Sequence, residues 1–389
     1  MKVLFITSEF PNIRGGISDY AYKLMESMRD SGNELHVLTT DDKAIIDRSD
    51  FCRIYKAIKL WTANEYPVIK KIIDDINPDI VHVHHDTAYF KTKKVLLNLI
   101  PFFVKVNFRK IKVITTIHEF RGHRLRWKLR VLADVLFSDK SIFVDFWDLM
   151  VLKRQFGLIP SGRLENIPIA SNIIPEKMYL SISKPELRKS LGLEKDGVLI
   201  FYFGEVVPPK GLEFLISTFE KIAQSNKTAK LLLVLNIFRE GYKKNLYQAG
   251  ILKRIEESIF KERIITVADQ NADKLSQYML ASDIAVYPFT MGASYQRGTF
   301  LASLAHGMPT LTTYHPDFYP PMIINGSDAV LIKVGDIDLF YEKLEELINN
   351  ESMREKISVN ARRFYEENFS WESIGIKTAG LYSRLASGI

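Results

Sequence analysis

The chain has 389 residues, 47% of them hydrophobic and 25% charged, with a formal net charge of +7. That length exceeds one core of ordinary size and points to about two domains in a globular protein. The single cysteine, Cys52, excludes a disulfide framework and a cysteine-based zinc cluster, no apolar run is long enough to span a bilayer, and the opening MKVLFITSEF lacks the features of a secretory signal; a reducing cytoplasmic location is expected.

Strand and helix patterns alternate from the start. KVLFIT (2–7) reads as a strand, GGISDYAYKLMESMRDSG (15–32) as a helix ending at Gly32, and ELHVLTT (34–40) as the next strand. DIVHVHH (79–85), KVITTIHEF (112–120), SIFVDF (141–146) and RLENIPIA (163–170) continue the series. This spacing implies βαβ units on a parallel sheet. The polar stretch 171–193 has no strand periodicity and reads as a connection between domains. A second series starts at GVLIFYFGEV (197–206), continues with strands at KLLLVLNIF, RIITVA, DIAVYPF and PTLTTY, and ends in helical sequence from Leu339 onward. Two doubly wound α/β halves follow, with ligands expected at the carboxyl ends of the strands and in a cleft between the halves.

The charge is unevenly placed. Between Lys91 and Arg130 there are twelve Lys/Arg residues and one acid, Glu119, interleaved with Leu96, Leu97, Ile100, Phe102, Phe103, Val104 and Phe108. Either this is a solvated face beside a buried one, or it meets an anionic surface. No nucleic-acid recognition motif accompanies it, so a membrane surface is the expected partner and nucleic acid is not.

Several loops have the composition of an anion site. Gly15-Gly16 precedes a helix and lets backbone amides approach a phosphate, although the three-glycine dinucleotide fingerprint is missing. Lys210-Gly211 closes the loop GEVVPPKG at a helix entrance, where a cation opposes the helix dipole unless an anion joins it. Arg297, Gly298 and Thr299 open the small-residue helix of PFTMGASYQRGTFLASLAHGMPTLTT (288–313), which a turn alone or a bound anion explains. His118 ends a strand beside Glu119, a carboxylate placed to orient it. His82 and His84 share one sheet face, but no carboxylate or cysteine pattern completes a metal site, and none is expected.

These pieces, in this order, resemble the family 4 nucleotide-sugar glycosyltransferases, which have the GT-B architecture. The resemblance runs through GGISDYAYKLMESMRDSGNELHVLTT, TTIHEF, FGEVVPPKGLEFLISTF, ADKLSQYMLASDIAVYPF, LASLAHGMPTLTT and FSWESIGIKTAGLYSRL. It implies two Rossmann-like doubly wound domains facing a cleft: an acceptor-binding domain at 1–175, a nucleotide-sugar-binding domain at 176–368, and a helix at 369–389 crossing back to the first. It further implies transfer of a sugar, with retention, from a nucleotide-diphosphate donor to a glycan or lipid-linked acceptor of the cell envelope. The protein is expected in the cytoplasm, peripheral on the inner face of the membrane. His118, Lys210 and Arg297 are the expected catalytic residues; Gly15, Gly16, Gly204, Lys210, Arg297, Gly298 and Thr299 are expected to bind the donor. No cofactor or metal is expected.

The sequence departs from the family where the donor should sit. The family's two glutamates fall on Ser294 and Ala302, and its arginine after the donor-domain glycine is replaced by Glu205, so that Arg297 is expected to supply the missing positive charge. Two other readings share the fold. An epimerase needs carboxylates that the lost glutamates do not supply. A binding or scaffold protein is favoured by that loss and opposed by the retention of Gly16, His118 and Lys210.

Overall fold

The computed structural model describes residues 1–12, 16–85, 96–157, 159–236, 246–268 and 270–387. They divide into two compact units, Met1–Ala170 with Trp371–Ile389, and Ser171–Ser370.

The first unit is built on β1 (Lys2–Ile6), β2 (Glu34–Thr40), β3 (Arg53–Ile58), β4 (Ile80–His85), β5 (Lys112–Ile117), β6 (Lys140–Phe143) and β7 (Leu164–Asn166). Their order is β3-β2-β1-β4-β5-β6-β7, and every ladder is parallel. A parallel sheet is covered on both faces, which explains why β1 is an unbroken apolar run. Val3 and Phe5 face one layer, with Leu24 and Met25 of α1 (Gly16–Ser27). Leu4 and Ile6 face the other, with Ile69 and Ile73 of α2 (Tyr66–Ile76) and Ile100 and Val104 of α3 (Leu96–Asn107). Next along the chain come α4 (Leu125–Phe137) and α5 (Phe146–Gln155).

The stretch 171–193, expected as a linker, belongs instead to the second unit. It forms α6 (Lys177–Leu180) and α7 (Lys184–Ser190), the latter opened by a capping box between Ser183 and Glu186. Arg188 donates to the carbonyls of Ala281, Lys195 and Gly197 and pairs with Asp283, which anchors α7 to the unit. The unit continues through β8 (Leu199–Glu205), α8 (Leu212–Ser225), β9 (Lys230–Asn236), α9 (Leu246–Glu257), β10 (Ile264–Ala268) and α10 (Ala272–Ala281). It is completed by β11 (Ile284–Tyr287), α11 (Gly298–Ala305), β12 (Thr310–Tyr314), β13 (Val330–Lys333), α12 (Ile337–Asn349) and α13 (Glu351–Phe369). Strand order is β10-β9-β8-β11-β12-β13, again parallel.

The order of each sheet reverses once, at β1/β4 and at β8/β11, and crevices for ligands open at such switch points. The final helix, α14 (Trp371–Ser387), packs in the first unit. Gly375 lets it approach α1 so closely that a Cβ there would lie 2.5 Å from Ser27 Oγ. Tyr382 bonds His82 Nδ1 at 2.6 Å across the core. No helix among the described residues is long and apolar enough to cross a membrane.

Candidate functional site

The switch point of the second unit gathers most of the expected donor-site residues. The β8–β11 ladder pairs Ile200 with Ile284 and Phe201 with Ala285, whereas the β8–β9 ladder continues to Glu205. The last residues of β8 therefore run free of β11 and form one wall of a crevice. The loop after β8 is stitched to the loop after β11: Thr290 donates its N–H to Pro209 O at 3.2 Å, and Gly211 passes directly over Pro288. At Gly211 φ is +72°, and a Cβ would lie 2.1 Å from Pro288 O, so only glycine fits. That contact holds Lys210, at the end of a short 3-10 turn, beside the β11–α11 loop.

Phe289, wholly buried, is approached by two cations. Lys210 Nζ is 5.4 Å and Arg297 Cζ 4.8 Å from its ring centre, within cation–π range. Burial and the neighbouring Arg297 hold the Lys210 pKa below the usual lysine range, while Glu205 pulls it back up. Two like charges held beside one buried ring repel each other, and an anion that joins them relieves that cost.

Arg297 is also the N-cap residue of α11, so the helix start adds N–H groups of Gly298 and Thr299 that have no partner within the helix. The Thr299 hydroxyl is buried and accepts or donates no hydrogen bond. A Cβ at Gly204 would lie 3.2 Å from the Tyr202 hydroxyl and 3.8 Å from Thr299 Cγ2, so the end of β8 lies against the start of α11. The structure thus brings Gly204, Lys210, Arg297, Gly298 and Thr299 together. Of the two positions where glutamates were expected, Ser294 is half-buried and accepts the Arg297 N–H at 3.0 Å, and Ala302 is wholly buried.

The other expected residues lie in the first unit. Gly16 opens α1, and Gly15 is outside the described residues. One turn on from Gly16, the Tyr20 ring meets His118 edge-on at 4.9 Å and His84 at 5.6 Å. Glu119 does not serve His118 as its position in sequence implied: it is exposed, and its carboxylate lies 3.6 Å from His123, four residues further along the loop. His82 uses both ring nitrogens in the core, on Tyr382 and on Thr116 Oγ1 at 2.7 Å, and burial lowers its pKa to about 3. Both nitrogens of His84 are buried without a hydrogen-bond partner, and burial keeps this ring neutral as well. Among the described residues no group of histidines, cysteines and acids is arranged to hold a metal ion.

Phe289 and Tyr20 were not anticipated. Each is an apolar-faced ring in an otherwise ordinary element, and only the fold reveals which cation or histidine it touches.

The comparisons with known proteins bear on the two parallel-sheet units. The model of the Glycosyltransferase Family 4 matches residues 14–169, and that of the Glycosyl transferases group 1 matches residues 183–364. The chain is 23% identical to the capsular polysaccharide biosynthesis glycosyltransferase CapM of Staphylococcus aureus, covering 97% of this chain and 95% of that one. It is 21% identical to the GDP-mannose-dependent alpha-(1-6)-phosphatidylinositol monomannoside mannosyltransferase of Mycolicibacterium smegmatis, over 98% of both. Its fold superposes on Anabaena Alr3699/HepE, solved in complex with UDP and glucose, with a TM-score of 0.70 at 16% identity, covering 98% of this chain and 99% of that one. With one model on each parallel-sheet unit and most of the sequence accounted for, the chain belongs to the family 4 glycosyltransferases of GT-B architecture.

Proposed function

We propose that this glycosyltransferase moves a hexose from a nucleoside-diphosphate donor, with retention of anomeric configuration, to a glycan or lipid-linked acceptor. The observation that carries the reading is the convergence of Lys210, Arg297, the α11 N-terminus and the unpartnered Thr299 hydroxyl at the switch point of the second unit. Glycosyl transfer builds negative charge on the departing diphosphate and positive character at the anomeric carbon. Fixed donors aimed at the leaving group stabilise that charge without reorganising. Lys210 and Arg297 supply the two positive charges, and Gly298, Thr299 and the open edge at Gly204 admit the phosphates to the helix start. On this reading no divalent cation is needed, and chelator leaves turnover unchanged. His118, with Gly16 in the same unit, is assigned to the sugar and its approach.

Relatives support the donor class: HepE was solved with UDP, and the mycobacterial enzyme is named for GDP-mannose. A thermal-shift screen against nucleotides and nucleotide sugars tests it, because a ligand bound only by the folded state raises the midpoint. An assay of released nucleotide then separates enzyme from scaffold. The scaffold reading is favoured by Ser294 and Ala302, and nucleotide-sugar binding without turnover in the presence of acceptors would establish it.

The acceptor side is assigned to a membrane surface. Leu99, Phe102 and Val106 lie along one exposed face of α3, and Leu125, Leu129 and Leu136 along one exposed face of α4, with Val106 60% and Leu125 66% accessible. Phe102 meets Phe137 edge-on at 4.8 Å, joining the two stripes. Arg109, Lys110, Arg124 and Arg126 are exposed around them, while Lys91, Lys93 and Lys94 lie outside the described residues. Apolar side chains that insert shallowly, surrounded by cations, match anionic lipid. Cosedimentation with phosphatidylglycerol vesicles at low salt tests this. Reversing those four exposed charges should abolish binding and leave nucleotide-sugar binding intact; failure of the wild type to bind would assign a soluble acceptor.

A further inference from the structure

Glu205 is out of place in an anion site. It ends β8 at the mouth of the crevice, exposed, and its charge acts on both Lys210 and the Tyr202 hydroxyl. A carboxylate there repels the diphosphate that Lys210 and Arg297 are placed to meet. Among the described residues no ion pair or hydrogen bond engages its carboxylate; its main-chain carbonyl accepts the Val207 N–H at 3.2 Å. Ser294 and Ala302 place no other carboxylate on the adjoining loop and helix.

We propose that Glu205 accepts hydrogen bonds from hydroxyls of the donor's sugar and so makes the site prefer the nucleotide sugar over the free nucleoside diphosphate. The proposal rests on the donor reading above and adds a specificity-determining residue to it. A carboxylate has two oxygens and no donor, and suits a pair of neighbouring hydroxyls, each bond being charge-assisted. The cost it imposes on the diphosphate falls on donor and product alike, and more heavily on the product, whose unesterified terminal phosphate carries more charge. The gain from the sugar belongs to the donor alone. Once the sugar has left, only the repulsion remains, and the nucleotide product is held less tightly. Specificity of this kind is a difference between two affinities, and the repulsive element is as much a part of it as the attractive one.

The test is calorimetric titration of the wild type, Glu205→Gln and Glu205→Ala. The probes are UDP, GDP, ADP and dTDP, together with their glucose, galactose and mannose conjugates. The tightest nucleotide and its tightest sugar conjugate in the wild type form the pair carried to the variants. The readout is the ratio of the two dissociation constants, nucleotide over nucleotide sugar. Losing a charge-assisted bond should lower that ratio about tenfold or more, with the free nucleotide binding as tightly as in the wild type or more so. A ratio that stays within about twofold would reduce Glu205 to a general electrostatic role and overturn the proposal. A wild type that gains nothing from any sugar would overturn it as well. A wild type that binds none of the four nucleotides would instead overturn the donor reading itself.

Discussion

Lys210 and Thr299 make opposite predictions from one site. Lys210→Ala removes a charge-assisted donor from a surface turn, so the fold should survive and kcat/KM should fall by about 1–3 kcal/mol in transition-state terms. Unchanged kinetics in the folded variant would exclude the leaving-group role. The lysine also gives the site a pH signature. Burial and Arg297 depress its pKa in the free protein, and a bound diphosphate would raise it again. Below the depressed value the lysine is charged in both states and binding is proton-neutral. Between the depressed and restored values binding takes up a proton, and affinity falls as pH rises. Titrations in buffers of different ionisation enthalpy would measure that uptake. Thr299→Val behaves differently. A buried hydroxyl without a partner costs about 1–3 kcal/mol, so the isosteric valine should raise the melting temperature while weakening nucleoside-diphosphate binding. A valine variant that loses stability and keeps full affinity would show the hydroxyl to be structural. Both residues were legible in sequence, one in a loop and the other at a helix start. The meeting of Lys210 and Arg297 around Phe289 was not, because residues 210 and 289 lie in loops that follow different strands.

At the level of elements, long apolar strands and amphipathic helices were readable, and the edge strands β3 and β13 were not. β3, RIYKAI, is half-exposed and carries Arg53 and Lys56, and β13 has only four residues. Charged, short edge strands resist further pairing and for the same reason lack a clean period. The loop after β8 makes a sharper case. PPKG reads as a turn, but nothing local says that Gly211 must lie against Pro288 O. Gly211→Ala should therefore cost more than the roughly 1–3 kcal/mol of a strained backbone alone, because the clash is with main chain. Both the melting temperature and nucleotide affinity should fall, since the loop that carries Lys210 must move. An alanine variant of unchanged stability would contradict the close approach.

The whole molecule responds to acid through histidines that the fold keeps neutral. Burial lowers His306 to about 4 and His82 to about 3 from an ordinary 6.5. His306 is bonded to Ser276 Oγ and Ala302 O, both at 2.8 Å. Above about pH 6.5 neither folded nor unfolded chain protonates these rings, and the full stability is present. Below it the unfolded chain takes up protons that the folded chain refuses, so stability falls as pH drops, until pH reaches the folded values. The slope is about 1.4 kcal/mol per pH unit for each histidine. Denaturant melts of His306→Gln should show a shallower loss between pH 6.5 and 4 than the wild type, and an identical slope would exclude His306 as a source.

The alternation of strands and helices, the order of the motifs, the absence of a disulfide framework and the loops that end in Lys210 and Arg297 are local properties, written in periods of two and of three to four residues. They were enough to determine the fold class and the family. What only the tertiary structure decided depends on distance through space. It made stretch 171–193 part of the second unit, because Arg188 finds the Ala281 carbonyl 93 residues away. It turned Glu119 toward His123 rather than His118. It took His82 out of the chemistry by bonding it to Tyr382, 300 residues later in the chain. A side chain's partner is set by which strands become neighbours in the sheet, and sequence spacing carries no record of that choice until the chain has packed.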